Sequence, residues 1–405
     1  MIKEKKECCG CGACSAICPT SAIKMKKDEY GYIYPIVDKE KCISCKRCLK
    51  SCGFLEDGLN DVMESYAAVN ENEKLLHDSS SGGIFSAIAD AFIDMGGCVC
   101  GAELIINNGK VSVEHRFIDD KTELKRIQGS KYVQSSIEAI YKQLDIRLKN
   151  GEKILFSGTP CQVASIKKNV SKRFAEQLYT VDIICHGVPN QKMFNDYIER
   201  EEKRRKISIK DFRFRDKNYG WGLEGAIVGE DLRGNINTYK ISPANSSYYD
   251  FFLKSEIYRE CCYSCPFAQE KRIGDLTIGD YWGVEKYSPE LLNEYGGHFS
   301  EKKGISCLLV NTEKGEKILE NYGEKILKTS VEMSKIEIIN TQLKHPAAYT
   351  KLRRKLMEVY LVEGYAGVEK IFLINSIKSK MVRKLKDILK SVLPERIIKS
   401  LKNRK

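Results

Sequence analysis

The chain has 405 residues, 42% hydrophobic and 30% charged, a composition ordinary for a globular protein and long enough for two or three domains. Its seventeen cysteines are not ordinary, and an odd count excludes complete internal disulfide pairing. The net charge of +12 is concentrated in residues 351–405, which hold sixteen Lys and Arg against five Asp and Glu; the remainder is near neutral, which argues against a globally basic nucleic-acid binder.

The opening MIKEKKECCGC contains no apolar signal-peptide core, and no segment reaches the roughly 18 apolar residues of a membrane span. Metal thiolates in a reducing cytoplasm are expected rather than exported disulfides. Residues 1–58 are dense in cysteine, with little room for an apolar core, and the polar stretch from Glu56 to Glu64 reads as a linker. Helical spacing of Ile84, Ile88, Phe92 and Met95 predicts a helix over 84–95, capped by Ser79, Ser80 or Ser81. Strands are expected at 98–106 and 111–117 around the turn Asn108-Gly109. Helix is expected over 136–149, strand over 153–157, helix over 161–170, strand over 178–185 and helix over about 190–205. Residues 208–241 read as strands with glycine turns. The fold class expected is a small α+β domain at the cysteine-dense start, then an α/β domain with a mixed sheet, then a C-terminal helical tail.

The cysteines carry the chemistry. Cys8-x2-Cys11-x2-Cys14-x3-Cys18-Pro19 and Cys42-x2-Cys45-x2-Cys48-x3-Cys52 have the bacterial two-cluster spacing, in which three close thiolates grip one 4Fe-4S cluster and the fourth reaches the other. Cys8, Cys11, Cys14 and Cys52 are therefore assigned to one cluster, and Cys42, Cys45, Cys48 and Cys18 to its partner. Gly53 departs from the pattern, standing where a second proline is usual and loosening the turn. A pair of zinc sites is the alternative for these thiols. Cys9 reads as a bystander.

Farther along, Cys262-x2-Cys265-Pro266 has metal-ligand spacing, and Cys161 and Cys185 follow predicted strands, where open α/β folds place ligands. Spacing alone leaves three readings for this group: a third cluster, a zinc site or plain core thiols. Cys261 competes with Cys262, while Cys98, Cys100 and Cys307 sit in apolar runs as core residues. The turns Ser80-Ser81-Gly82-Gly83 and Ser157-Gly158-Thr159-Pro160 run into helices, where phosphate can approach free N–H groups; a plain helix cap is the alternative. No G-x-G-x-x-G fingerprint is present. His186, beside Cys185, reads either as a proton donor or cluster neighbour, or as structural.

Seven ordered blocks then define a resemblance: SSSGGIFSA (79–87), GSKYVQSS (129–136), LFSGTPCQVASIK (155–167), VDIICHGVP (181–189), FRDKNYGWG (214–222), CYSCPFAQEKRIGDLTIGDYWG (262–283) and the cysteine quartets. From about Lys6 to Lys303 the chain resembles the family of beta subunits of coenzyme F-420 hydrogenases and dehydrogenases, in a form fused to a two-cluster ferredoxin. The resemblance implies a two-cluster domain over 1–58, a flavin-binding domain over 64–345 and a basic tail over 346–405. It implies FAD and a third 4Fe-4S cluster held by Cys161, Cys185, Cys262 and Cys265. It further implies flavin contacts from Ser80, Ser81, Gly82, Gly83, Lys131, Ser157, Gly158, Thr159, Pro160 and Gln162. A proton donor beside the flavin is required in principle, and His186 and Lys131 are the catalytic candidates. The substrate stays open between F-420-like deazaflavins and a polysaccharide-pathway intermediate.

The expected activity is therefore an iron–sulfur flavoprotein oxidoreductase. Its expected partners are a redox donor or acceptor protein and a small-molecule hydride acceptor, with no nucleic acid. An electron-transfer subunit serving a separate catalytic partner is the alternative. From Ile371 the sequence reads as a basic amphipathic helix broken near Pro394, with Ile374, Ile377, Met381, Leu385, Ile388 and Leu389 on one face. Peripheral membrane contact through 371–405 and packing on the protein's own body are both open.

Overall fold

The computed structural model describes residues 3–54, 58–107 and 109–392. The start of the predicted linker at Glu56, Asn108 of the hairpin turn, Pro394, and the side chains of Leu385, Ile388 and Leu389 lie outside the described residues. In chain order the strands are β1 (Ile23–Lys27), β2 (Ile33–Val37), β3 (Glu64–Asn70), β4 (Cys98–Asn107), β5 (Lys110–Ile118), β6 (Ile154–Gly158), β7 (Leu178–Ile183), β8 (Ile207–Arg213), β9 (Gly225–Asp231), β10 (Ile236–Ile241), β11 (Leu276–Asp280), β12 (Ser306–Val310) and β13 (Ile326–Ser330).

Eight of them form one mixed sheet in the order β13-β3-β12-β11-β7-β6-β4-β5. The four central strands, β11, β7, β6 and β4, run parallel, and antiparallel strands flank them. The short apolar runs of the centre suit this position, since a parallel strand is covered on both faces. Along β6, Leu155 faces a core with the helix Ile84–Asp94. Its neighbours Ile154 and Phe156 face the opposite core, with the helices Ile140–Lys149 and Pro160–Asn169. Two-residue periodicity thus divides one strand between two cores. The segment 207–241 forms its own antiparallel sheet, β10-β9-β8, rather than joining the main one.

Three local expectations change. The helix expected from 136 begins at Ile140, because Ser136 exchanges hydrogen bonds with β5 through Val113 and His115 instead of entering the helix. No serine caps the helix at Ile84: its N-cap is Gly83 in the left-handed conformation (φ 75°), while Ser79 Oγ donates to Leu75 O. The basic helix is longer than expected, running Lys351–Val392 with a break at Gly364. Leu356, Met357, Tyr360, Tyr365, Val368 and Phe372 pack on the body, whereas Leu373, Ile374, Ile377 and Met381 are exposed. No helix among the described residues is long and apolar enough to cross a membrane.

The cysteine-rich segment makes up for its lack of a core by sharing that of its neighbour. Tyr32 and Tyr34 of the β1–β2 hairpin region enter the cluster of Phe194, Tyr197 and Tyr258, and Cys9 and Phe54 pack with Phe267 and Val163. Gly53 is explained by the same docking. A Cβ there would lie 2.5 Å from Ser165 Cα and 2.6 Å from Ser165 N, on the backbone of the helix Pro160–Asn169. Glycine lets the chain after Cys52 touch that helix. Gly53→Pro, which restores the usual sequence, is expected to cost about 1–3 kcal/mol by overpacking. Limited proteolysis should then cut faster near residues 54–58; an unchanged cleavage pattern would show that the contact does not matter.

Candidate metal and redox centre

The structure brings the cysteines assigned to the first cluster together. Cys8, Cys11, Cys14 and Cys52 line one cavity, with Cys48 at its wall. The Cys14 thiol is pushed up to about 12, first by burial and then by its neighbours Cys11, Cys8 and Cys52. Cys11 moves the other way, because the Cys9 thiol and the Ser165 hydroxyl (3.1 Å) donate to it. The second set is not gathered in this way. Cys42 and Cys45 are exposed, Cys48 borders the first cavity, and Cys18 Sγ lies 3.8 Å from Thr20 Oγ1.

The second cavity is lined by Cys161, Cys185, Cys262 and Cys265, with Cys261, His186 and Gly187 in its walls. Two parallel strands position the first pair: Cys161 follows β6 and Cys185 follows β7, at the same carboxyl edge. The second pair comes from the short turn Glu260–Ser264 and the residue after it. Burial pushes the Cys265 thiol up to about 12, with Cys161 and Cys262 adding to it. Cys261 is buried in the same wall and donates to Cys262, lowering that thiol. Cys98, Cys100 and Cys307 are core residues at 2% exposure or less. Among the described residues no three His, Cys, Asp or Glu groups converge on a single ion. A 4Fe-4S cluster asks for something different, four thiolates spread around a cube, and two thiol-lined cavities fit that requirement.

The cavities adjoin. Phe54 borders both, and the Cys9 thiol contacts Cys11 on one side and Cys161 on the other. Cys9 is therefore no bystander, although nothing in its spacing distinguishes it from one.

The glycine–serine turns divide in their behaviour. Thr159 Oγ1 lies 3.2 Å from Cys161 Sγ, and Gln162 Oε1 accepts from Thr159 N while its Nε2 donates to Ser135. Thr159 caps its helix and, with Pro160, lines the second cavity, while Ser157 and Gly158 end β6. Gly82 is glycine for packing, since a Cβ would lie 2.3 Å from Ala68 O. Around the 80–83 turn, however, cations collect. Arg215 donates to Ser80 O and pairs with Asp280 at 3.0 Å; Lys217 donates to the carbonyls of Leu76 and Ser81; Ser130 donates to Ser80 Oγ. Lys131, next in sequence, donates to Gln128 O, and burial pushes its ammonium down to about 7. Lys217 is likewise lowered to about 7, by burial and by Arg215. Trp221 and Trp282 stack beside them at 4.5 Å, and Trp221 Nε1 donates to Asp280. His186 is exposed at the mouth of the second cavity. Sequence reasoning assigned no role to Arg215, Lys217, Asp280 or the tryptophans, although all lie in the FRDKNYGWG and IGDYWG blocks.

Residues 151–336 match the family model described as coenzyme F420 hydrogenase/dehydrogenase, C terminus of the beta subunit, and residues 7–54 match the 4Fe-4S dicluster domain. The F subunit of the F(420)H(2) dehydrogenase of Methanosarcina mazei is 26% identical over 194 residues, a match covering 44% of this chain and 53% of that protein's length. An uncharacterised protein of Methanocaldococcus jannaschii is 24% identical over 370 residues, covering 81% of this chain and 96% of the other. An uncharacterised ferredoxin of the same organism is 38% identical over 52 residues, covering 13% of this chain and 66% of the ferredoxin. Among solved structures, one polypeptide of the F420-reducing NiFe hydrogenase complex from Methanosarcina barkeri aligns with a TM-score of 0.41 at 13% identity, covering 75% of this chain and 94% of the other.

Proposed function

We propose that this chain is an iron–sulfur flavoprotein oxidoreductase. Its residues 7–54 are a 4Fe-4S dicluster domain, and its residues 151–336 belong to the family of C-terminal domains of coenzyme F420 hydrogenase/dehydrogenase beta subunits. Its clusters would exchange single electrons with an external redox protein, and bound FAD would combine two of them with a proton for transfer as hydride. The observation that carries the reading is the shared wall of the two thiol cavities, where Phe54 and Cys9 join Cys11 to Cys161.

In this reading three parts, 1–58, 64–345 and 346–405, divide the work. Cys8, Cys11, Cys14 and Cys52 hold one cluster, and Cys42, Cys45, Cys48 and Cys18 a second. Cys161, Cys185, Cys262 and Cys265 hold a third. FAD would be held against the 80–83 turn, where the Arg215 guanidinium suits a diphosphate, Lys217 and Lys131 offer hydrogen bonds, and the tryptophan pair offers an aromatic wall. Bound flavin would supply the exchange between single electrons and hydride. Lys131, near neutral by virtue of its burial, and His186, at the cavity mouth, are the proton donors proposed. Coenzyme F420, which gives both the matched family and the Methanosarcina mazei dehydrogenase their names, is the first hydride carrier to test, ahead of a polysaccharide-pathway intermediate. A reducing, cytoplasmic setting accords with seventeen free cysteines.

A second reading, an electron-transfer subunit without a substrate of its own, is favoured by the exposed second quartet. Cys42 and Cys45 stand among the exposed apolar residues Ile43 and Leu49, a surface suited to a docking redox protein. Anaerobic purification and analysis separate the two. About twelve irons and one FAD per chain are expected for the flavoprotein. About eight irons without flavin would sink that reading and leave the carrier. Residues 371–405 are proposed to touch an anionic membrane surface, supported by exposed Ile374, Ile377 and Met381 amid lysines. Deleting them should abolish co-sedimentation with anionic liposomes, and unchanged sedimentation would refute that contact.

A further inference from the structure

Arg259 is fully buried, and its guanidinium has no carboxylate partner among the described residues. Nε donates to Cys8 O at 2.8 Å, Nη2 to Ile33 O at 2.7 Å and Nη1 to Gln134 Oε1 at 3.1 Å. The ring of Tyr34 lies 4.2 Å from the guanidinium carbon. Gly10 admits this approach, because a Cβ there would stand 2.8 Å from Nη2. The backbone of the same residue serves the other cavity. Arg259 N donates to Val188 O, three residues beyond Cys185, and Arg259 O accepts from Cys262 N at 3.0 Å. One residue thus touches the loop of Cys8 with its head and the turn of Cys262 with its main chain.

The molecule's other buried arginines show what is missing. Arg272 pairs with Asp182 and Arg215 with Asp280, each at 3.0 Å. Arg353 is a partial parallel: it is 3% exposed, donates to Tyr258 O, has no carboxylate within ion-pair distance among the described residues although Glu260 favours its charge from farther off, and leaves its Nε without a partner. Carbonyls and ring faces offset only part of the cost of burying a cation. The Arg259 guanidinium therefore calls for an anion that the chain's carboxylates do not supply. A thiolate-held cluster is such an anion, and net charge is one of the determinants of its potential.

We propose that Arg259 is the counter-charge of the two clusters it lies between, those of Cys8 and Cys262, and holds their reduction potentials above that of the outer cluster of Cys42, Cys45 and Cys48. The proposal rests on the ligand sets of the reading above. Each inner cluster takes one electron from a low-potential donor protein and no proton, so its negative charge rises by one beside a guanidinium that stays protonated. In a dry surrounding that attraction is strong; at the exposed outer thiols water screens it. Electrons entering from outside therefore run inward.

The test is a potentiometric titration of the anaerobic full-length holoprotein followed by electron paramagnetic resonance. R259Q is expected to lower the midpoints of both inner clusters and leave the outer one in place, and R259K to restore most of the shift. R353Q should lower the Cys262 cluster more than the Cys8 cluster. With full iron content, unmoved midpoints in R259Q, an equal shift of all three, or a shift in R259K as large as in R259Q would overturn the proposal. If R259Q loses iron, R259K alone decides: with full iron its inner midpoints should stay near the wild-type values, and inner midpoints clearly lowered despite the retained charge overturn the proposal. Should the wild type hold only about eight irons, the three-cluster reading fails, and the counter-charge is then judged on the Cys8 cluster in R259Q alone.

Discussion

Cys185→Ser is expected to remove about four irons per chain and to stop reduction of the flavin by electrons entering through the ferredoxin clusters. The residue stands two positions beyond the end of β7, beside the carboxyl end of β6 that delivers Cys161. Its thiol is held high by burial and by the thiols of Cys262, Cys161 and Cys265, the mutual opposition that a shared cationic core relieves. A serine hydroxyl ionises far less readily than a thiol and is a poor substitute for a thiolate ligand. The dicluster module has its own eight cysteines and should keep its iron. Cys261→Ser and Cys307→Ser are the controls, since neither thiol belongs to the four, and both should leave the iron content at the wild-type level. Twelve irons retained in Cys185→Ser would exclude the third ligand set, whatever happens to activity.

How much of this was legible in the sequence depends on the range over which the signal acts. The cysteine quartets are local, and their spacing alone assigned Cys52 to the cavity of Cys8, Cys11 and Cys14, where the structure places it. Strand-then-cysteine order likewise placed Cys161 and Cys185 at one sheet edge, because parallel neighbours align their carboxyl ends. What escaped depends on contacts between distant segments. Gly53 seemed a defect of its turn until the helix Pro160–Asn169 was seen against it. Cys9 and Phe54 acquire meaning only where the two cavities meet. Arg215 and Asp280 lie far apart in sequence and carry no spacing that would join them. The serine caps failed for a backbone reason: Gly83 takes the left-handed conformation that serine rarely adopts, and the serine hydroxyls bond elsewhere.

Asp182→Ala is expected to cost about 3–5 kcal/mol, the penalty of leaving a buried partner charge alone. Asp182 is fully buried on β7; its Oδ1 accepts from Arg272 Nη2 at 3.0 Å and its Oδ2 from Gly274 N at 2.9 Å. Arg272 spends its remaining donors on Thr277 Oγ1 and on the carbonyls of Phe267, Gln269 and Ile183. The pair therefore ties the strand leading to Cys185 to the loop leaving Cys265, and Gly274 has no room for a side chain beside Asp182 N. Removing the carboxylate leaves a charged guanidinium and the backbone N–H groups of Ile273 and Gly274 without their acceptor in a dry place. The site's iron should be lost with the stability, because two of its four thiols hang on the ends of this pair. Urea denaturation of the anaerobic protein, read with iron content, measures both. The double variant Asp182→Leu with Arg272→Met removes both charges together and should recover much of the loss, since a buried ion pair is worth little beyond a well-packed apolar replacement. A single variant as stable as wild type would mean that water reaches Arg272 and that the loop is held by its carbonyl contacts alone.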